Sequence, residues 1–146
     1  MLEVSAEAKQ YSREMMNFID QSPSPFHAVA SAVAQLEQAG YQALSEKDVW
    51  SLQAGQKYYV IRGGGSLIAW IMGTGDPAEH GARLVGAHTD SPNIRLKPNL
   101  AKVINQHLVF DVEPYGGLLV ATWSDKDLSV AGGWWCEMSL GFIQHV

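Results

Sequence analysis

The amino-acid sequence predicts an α/β fold, and three observations support this prediction. Two segments near the N-terminus have apolar residues at helical spacing, and a glycine-rich turn joins two short apolar runs in a hairpin pattern. A further apolar run ends in His88-Thr89-Asp90. The length of 146 residues suffices for one ordinary domain or for parts of two.

Two helices are predicted at the start of the chain. Over residues 6–20 the apolar and charged side chains separate onto different faces, and a Gln-Ser-Pro sequence then stops the pattern. The second helix begins with Ser24-Pro25, which is an N-cap residue followed by a first-turn proline, and it ends before Gly40. Both ends of this helix are therefore marked in the sequence.

β-structure is predicted to follow. Residues 58–61 and 67–72 flank the glycine-rich turn and form a hairpin. No Gly-Lys-Ser/Thr sequence or helix follows those glycines, so a structural turn is favoured over a phosphate-binding loop. The apolar run at residues 83–87 predicts a buried strand, and the alternation of polar and apolar residues from residue 93 onward indicates antiparallel structure.

The composition narrows the classes of function. A hydrophobic content of 47% with 17% charged residues is typical of a folded protein, and a net charge of -5 without a Lys/Arg run argues against nucleic-acid and membrane partners. The chain has no signal-peptide pattern and no apolar stretch of about 20 residues, so we expect a cytoplasmic protein. The single Cys136 excludes a disulfide framework and is more typical of a small buried apolar residue than of a nucleophile.

The sequence His88-Thr89-Asp90 is a candidate for metal chemistry. Open α/β sheets commonly build their sites where strands end, and residues two apart on an extended backbone point to the same face. A zinc-bound imidazole usually donates its other N–H to a carboxylate, which is the role that the spacing allows Asp90. One histidine and one carboxylate do not complete a catalytic zinc site, and His-x-Asp alone is a weak signal.

No other residue completes the site by its spacing. Asp125 and Asp127 fit a solvated turn as well as a site and stay unassigned. The other histidines lack metal-ligand spacing to His88 and are more typical of structural or solvated positions: His27, His80, His107 and His145.

Four blocks of sequence are recognisable as a set. In chain order they are SPSPFHA at 22–28, GAHTDSP at 86–92 followed by RLKP at 95–98, VEPYGG at 112–117 and DLSVAG at 127–132. In order and spacing over residues 7 to 132 they resemble the aspartyl aminopeptidase family of zinc metallopeptidases. Four blocks in register are a far more specific signal than His-x-Asp by itself.

The resemblance implies an aminopeptidase with two Zn²⁺ ions, a peptide substrate with a preference for acidic N-terminal residues, and assembly into a homo-oligomer. In that family the histidine matching His88 is a metal ligand, and the aspartate matching Asp90 is the supporting catalytic carboxylate. The metals polarise the scissile carbonyl and lower the pKa of a bridging water, and a glutamate takes its proton.

The family's fold is also implied. Residues 1–92 are expected to form the N-terminal part of a zinc-exopeptidase-like, three-layer α/β catalytic domain. Residues 93–132 are expected to begin an inserted β-rich dimerisation domain, and 133–146 form a tail that diverges from the family.

The family's remaining metal ligands lie beyond residue 146, so we expect a truncated or frameshifted chain that is inactive alone. Two alternatives stay open. One is a non-catalytic assembly subunit that binds a full-length relative, and the other is an independent hydrolase with a small metal site of His80, His88 and Asp90.

Overall fold

The computed structural model describes residues 4–138 and 141–145. It contains helices and both parallel and antiparallel strand pairs, which confirms the predicted α/β class. In chain order the elements are helix α1 (Ala6–Asp20), helix α2 (Pro25–Gln38), strands β1 (Gln42–Ala43), β2 (Lys57–Arg62) and β3 (Ser66–Ile71), helix α3 (Pro77–His80), strands β4 (Asn93–Ile104) and β5 (His107–Tyr115), a 3-10 turn (Val120–Thr122), and strands β6 (Trp134–Met138) and β7 (Gly141–His145).

Both predicted helices are confirmed, and each begins at a serine. The Ser5 hydroxyl accepts a hydrogen bond from the Ala8 amide at the start of α1. Ser24 does the same for the His27 amide at the start of α2, where Pro25 occupies the first turn. These serines satisfy backbone donors that have no partner inside the helix.

The predicted hairpin is confirmed as β2 and β3, which pair antiparallel with Arg62 opposite Ser66. Gly63 has a φ of 60° and therefore lies in the left-handed region, which glycine adopts at little cost. Strand β1 extends this sheet by pairing parallel to β2. The buried apolar residues of the described chain come from α2 and β2: Ala28, Val29, Tyr58, Tyr59 and Val60.

The prediction of a buried strand at residues 83–87 is wrong. This segment belongs to no strand, and its apolar side chains are exposed, Leu84 by 90% and Val85 by 100%. Apolar character on both faces is typical of a parallel strand in the middle of a sheet, but a strand forms only beside a partner edge. Within residues 4–138 and 141–145 no strand pairs with this segment.

The antiparallel structure predicted after residue 93 is confirmed as the β4–β5 hairpin, whose register shifts between Leu96 and Ala101. The chain divides into two compact units, Met1–Thr89 with Ala131–Val146 and Asp90–Val130. The domain boundaries expected after residues 92 and 132 stay a prediction. None of the helices in the described residues has the length and apolar character needed to span a bilayer.

Candidate metal site

The His88-Thr89-Asp90 motif follows the extended segment 81–87. In the first unit, the Thr89 hydroxyl donates a hydrogen bond of 2.8 Å to the carbonyl oxygen of Gly65, at the turn of the β2–β3 hairpin. The residue between the two candidate site residues is thereby fixed to the glycine-rich turn. The glycine pattern predicts a structural turn and contains no signal of this link.

The same turn packs against the start of α2. A Cβ atom added at Gly65 would lie 3.6 Å from Cβ of Pro25, and one added at Gly133 would lie 3.5 Å from the ring of Phe26. The block that begins α2 therefore contacts glycines from two other parts of its unit. His27 belongs to the helix cap, because its Nδ1 lies 2.7 Å from the Ser24 hydroxyl.

Asp90 belongs to the second unit, where the phenol of Tyr115 donates a hydrogen bond of 2.5 Å to its Oδ2. This bond is the main cause of a raised pKa of Tyr115, with the negative charge of Asp90 adding to it and nearby Arg95 opposing it. The guanidinium carbon of Arg95 lies 3.3 Å from the centre of the Tyr115 ring. Asp90 is half-buried at this position, whereas His88 is exposed.

The remaining histidine candidates lie elsewhere. His80 ends the short helix α3, where its Nδ1 lies 3.1 Å from the carbonyl oxygen of Asp76, and His107 begins β5. His145 lies in β7, and its side chain is outside the described residues, as is that of Cys136. Asp125 and Asp127 are exposed in the segment after the 3-10 turn.

The donor types at this motif suit zinc, but the described residues supply only part of a site. Imidazole nitrogen and carboxylate oxygen are ordinary zinc ligands. Among residues 4–138 and 141–145, however, no three His, Cys, Asp or Glu side chains are grouped so that they could hold a metal ion. The small independent site of His80, His88 and Asp90 is therefore not formed.

Comparisons with known proteins identify the family. The family described as "Aminopeptidase I zinc metalloprotease (M18)" matches residues 18–141. A curated relative from Pseudomonas paraeruginosa, "Probable M18 family aminopeptidase 2", is 50% identical over 123 residues, which are 84% of this chain and 29% of that protein. The chain thus spans less than a third of the length of this relative.

Solved structures agree with the sequence match. A chain in the cryo-EM structure of the Ape4 and Nbr1 complex matches with a TM-score of 0.86 and 34% sequence identity, and the match covers 99% of this chain and 29% of that one. The structure of the mApe1 dodecamer of Saccharomyces cerevisiae matches with a TM-score of 0.82 and 30% sequence identity. This match covers 92% of this chain and 32% of that one. The resemblance is confirmed: the chain belongs to the aminopeptidase I zinc metalloprotease (M18) family.

Proposed function

We propose that this chain contributes His88 and Asp90 to the active site of a zinc-dependent aminopeptidase that removes N-terminal, preferably acidic, residues from peptides. The observation that supports the proposal is the family match over residues 18–141, which contains the His88-Thr89-Asp90 motif. The hydrogen bond from Tyr115 to Asp90 is consistent with a carboxylate held in a defined orientation.

The two residues have different roles. One ring nitrogen of His88 would bind the metal, and the other would donate its hydrogen to Asp90, which would fix the tautomer and the direction of the imidazole. Bound zinc would supply Lewis-acid polarisation of the scissile carbonyl and a water of lowered pKa. Asp90 acts through His88 and does not touch the peptide in this scheme.

The remaining ligands of a site with two Zn²⁺ ions, and the general base, are assigned to sequence outside the match. The chain covers 29% of the curated relative, so most of that protein lies outside the comparison. We expect these 146 residues to be inactive by themselves. A homo-oligomer and a cytoplasmic location complete the proposal, and sedimentation and cell fractionation would test them.

A chimera tests the proposed activity. Residues 1–132 of this chain are joined to the part of the Pseudomonas paraeruginosa relative that follows its matched segment. We expect the chimera to release N-terminal Asp and Glu from peptides faster than Leu, and the 146-residue chain alone to release none. Substitution His88→Ala removes a metal ligand and should abolish activity, while Asp90→Asn should lower metal affinity by about 10- to 100-fold.

The matched control is His80→Ala, which removes an exposed histidine of α3 that has no role in the proposal. It should leave both activity and zinc content unchanged. An active chimera whose zinc content and activity survive His88→Ala would contradict the assignment of this ligand. An active chimera that prefers Leu over Asp and Glu would contradict only the acidic preference.

The non-catalytic alternative is favoured by one observation, the exposed apolar segment at Leu84 and Val85. An unpaired extended segment with apolar side chains is a surface that another chain can cover. The alternative predicts a complex between this chain and the full-length Pseudomonas paraeruginosa relative that Val85→Asp weakens. Val103→Asp, on an exposed apolar residue of β4, is the matched control. Separate elution of the two proteins at micromolar concentration would refute it.

A further inference from the structure

The base of the β4–β5 hairpin brings Arg95 and Tyr115 to the same face. Asn93 pairs with Tyr115, and Arg95 pairs with Glu113, so the two positions are diagonal neighbours across the strands. Side chains alternate between faces along a strand, and long side chains on diagonal positions reach one another. The register therefore sets up the contact between the guanidinium and the phenol ring.

Arg95 restricts the orientation of the Tyr115 ring. Its guanidinium carbon lies 3.3 Å from the ring centre, which is the distance of a stacked cation–π contact. Tyr115 is half-buried, and its neighbour Gly116 has a φ of 70°. Because a Cβ atom at Gly116 would lie 3.5 Å from Pro92, the two ends of the hairpin approach closely at this point. The Tyr115 ring is thereby restricted by the guanidinium on its face and by the close backbone approach at Gly116 and Pro92.

These contacts direct the phenol of Tyr115 toward Asp90. Its hydroxyl donates to Oδ2 of Asp90, two residues before Pro92 in the chain. A carboxylate accepts hydrogen bonds on both oxygens, so a bond from a phenol and a bond from an imidazole N–H are compatible on one aspartate. Donation to the carboxylate stabilises its ionised form, which is the form that accepts from imidazole.

We infer that Tyr115, held by Arg95, is a positioning residue that orients Asp90 and through it the imidazole of His88. The inference rests on the proposed function, because it needs the hydrogen bond from His88 to Asp90. Partners behind a metal-binding histidine fix its tautomer, and their loss typically lowers metal affinity by about 10- to 100-fold. Tyr115 extends that chain of partners by one residue.

The test measures the His88 tautomer in the 146-residue chain by nitrogen-15 NMR of the imidazole ring, at a pH of about 8.5, above the ordinary pKa of histidine. The intact chain should give two well-separated ring-nitrogen signals, because one tautomer is held. In Tyr115→Phe, which keeps the ring and loses the hydroxyl, the two signals should move toward each other as the tautomers mix. Arg95→Gln, which keeps the phenol and loses the cation, should give a smaller movement.

Two further variants separate the ways in which the inference can fail. Tyr59→Phe is the matched control, because it removes a phenol that donates to another carboxylate, Glu37. Tyr59→Phe should leave the His88 signals in place. If the His88 tautomers mix in this variant too, the effect of Tyr115→Phe reflects a general loss of structure, and the inference is overturned. If Asp90→Asn mixes the tautomers and Tyr115→Phe does not, the positioning role is overturned alone. If Asp90→Asn has no effect, the His88–Asp90 pair of the proposed function fails first, and the inference falls with it.

Discussion

Thr89 donates its side-chain hydrogen bond to the carbonyl oxygen of Gly65, 24 positions earlier in the sequence. The bond connects the middle residue of the His88-Thr89-Asp90 motif to the turn between β2 and β3. Because His88 is the residue before Thr89, its backbone is anchored to the sheet at this point. A turn that the sequence marks only by its glycines thus has a second role, which is to hold the segment that bears the candidate metal ligand.

Substitution Thr89→Val should weaken this anchor. The hydroxyl is lost while the branched shape is kept, and a single exposed hydrogen bond contributes about 0.5 to 1 kcal/mol to stability. We expect the free energy of unfolding, measured by urea denaturation, to fall by about that amount. Thr89→Ser keeps the hydroxyl, so its free energy of unfolding should stay close to that of the original chain. Equal losses in both variants would show that the methyl group, and not the hydrogen bond, stabilises this position.

Substitution Gly63→Ala isolates backbone strain in the hairpin turn. The φ of 60° is costly for any residue with a Cβ, and nothing lies within 4 Å of the added atom, so steric crowding does not contribute. We expect a loss of about 1 to 2 kcal/mol in the free energy of unfolding. Gly132→Ala is the control, since its surroundings are also open and its φ is not positive. A neutral Gly63→Ala would mean that the turn changes conformation at no cost.

Substitution Ser24→Ala should destabilise the start of α2. Ser24 accepts from the His27 amide and contacts the His27 ring, and loss of an N-cap costs about 1 kcal/mol. Ser24→Asp supplies another capping oxygen and should recover most of the loss. Ser12→Ala serves as the matched control, because Ser12 bonds to the Ala8 carbonyl within α1 and caps nothing. Calorimetry should therefore show a lower Tm for Ser24→Ala than for Ser12→Ala.

The elements that the sequence predicted are those whose signals are local. The Ser24-Pro25 pair sits directly at the start of α2, and the glycines at 63–65 sit directly between β2 and β3. The prediction of a strand at residues 83–87 is wrong because an apolar pattern is a property of the segment alone. It contains no information about whether the edge of another strand lies beside it. Fold class follows from such patterns, but strand pairing depends on chain segments that are distant in sequence.

The candidate site shows the same division. His88 and Asp90 are recognisable from their spacing, whereas their supports lie far along the chain: Gly65 is 24 positions from Thr89, and Tyr115 is 25 positions from Asp90. The block at 112–117, which contains Tyr115, contributes to the family resemblance, but its sequence alone predicts no role for the phenol. Only the register of the β4–β5 hairpin, with Asn93 opposite Tyr115, identifies the phenol as a neighbour of the motif.

The pH dependence of stability should report on the buried Tyr59. Its hydroxyl donates to Oε1 of Glu37 at 2.7 Å, and this bond, with burial and the charge of Glu37, raises the pKa of Tyr59. A raised pKa in the folded state means that folding favours the protonated phenol. The resulting stabilisation is complete below the pKa of an unfolded tyrosine, about 10, and is lost as the pH rises through the folded pKa.

Urea denaturation of the original chain and of Tyr59→Phe at pH values from about 8 to about 11 would measure this contribution. Tyr59→Phe should be less stable at the lower pH, by about 1 kcal/mol for a lost hydrogen bond, and the difference should shrink as the pH passes about 10. Tyr11→Phe, at an exposed position of α1, should follow the original chain throughout. A difference that stays constant with pH would contradict the raised pKa of Tyr59, because it would show that the phenol loses its proton equally readily in the folded and in the unfolded chain.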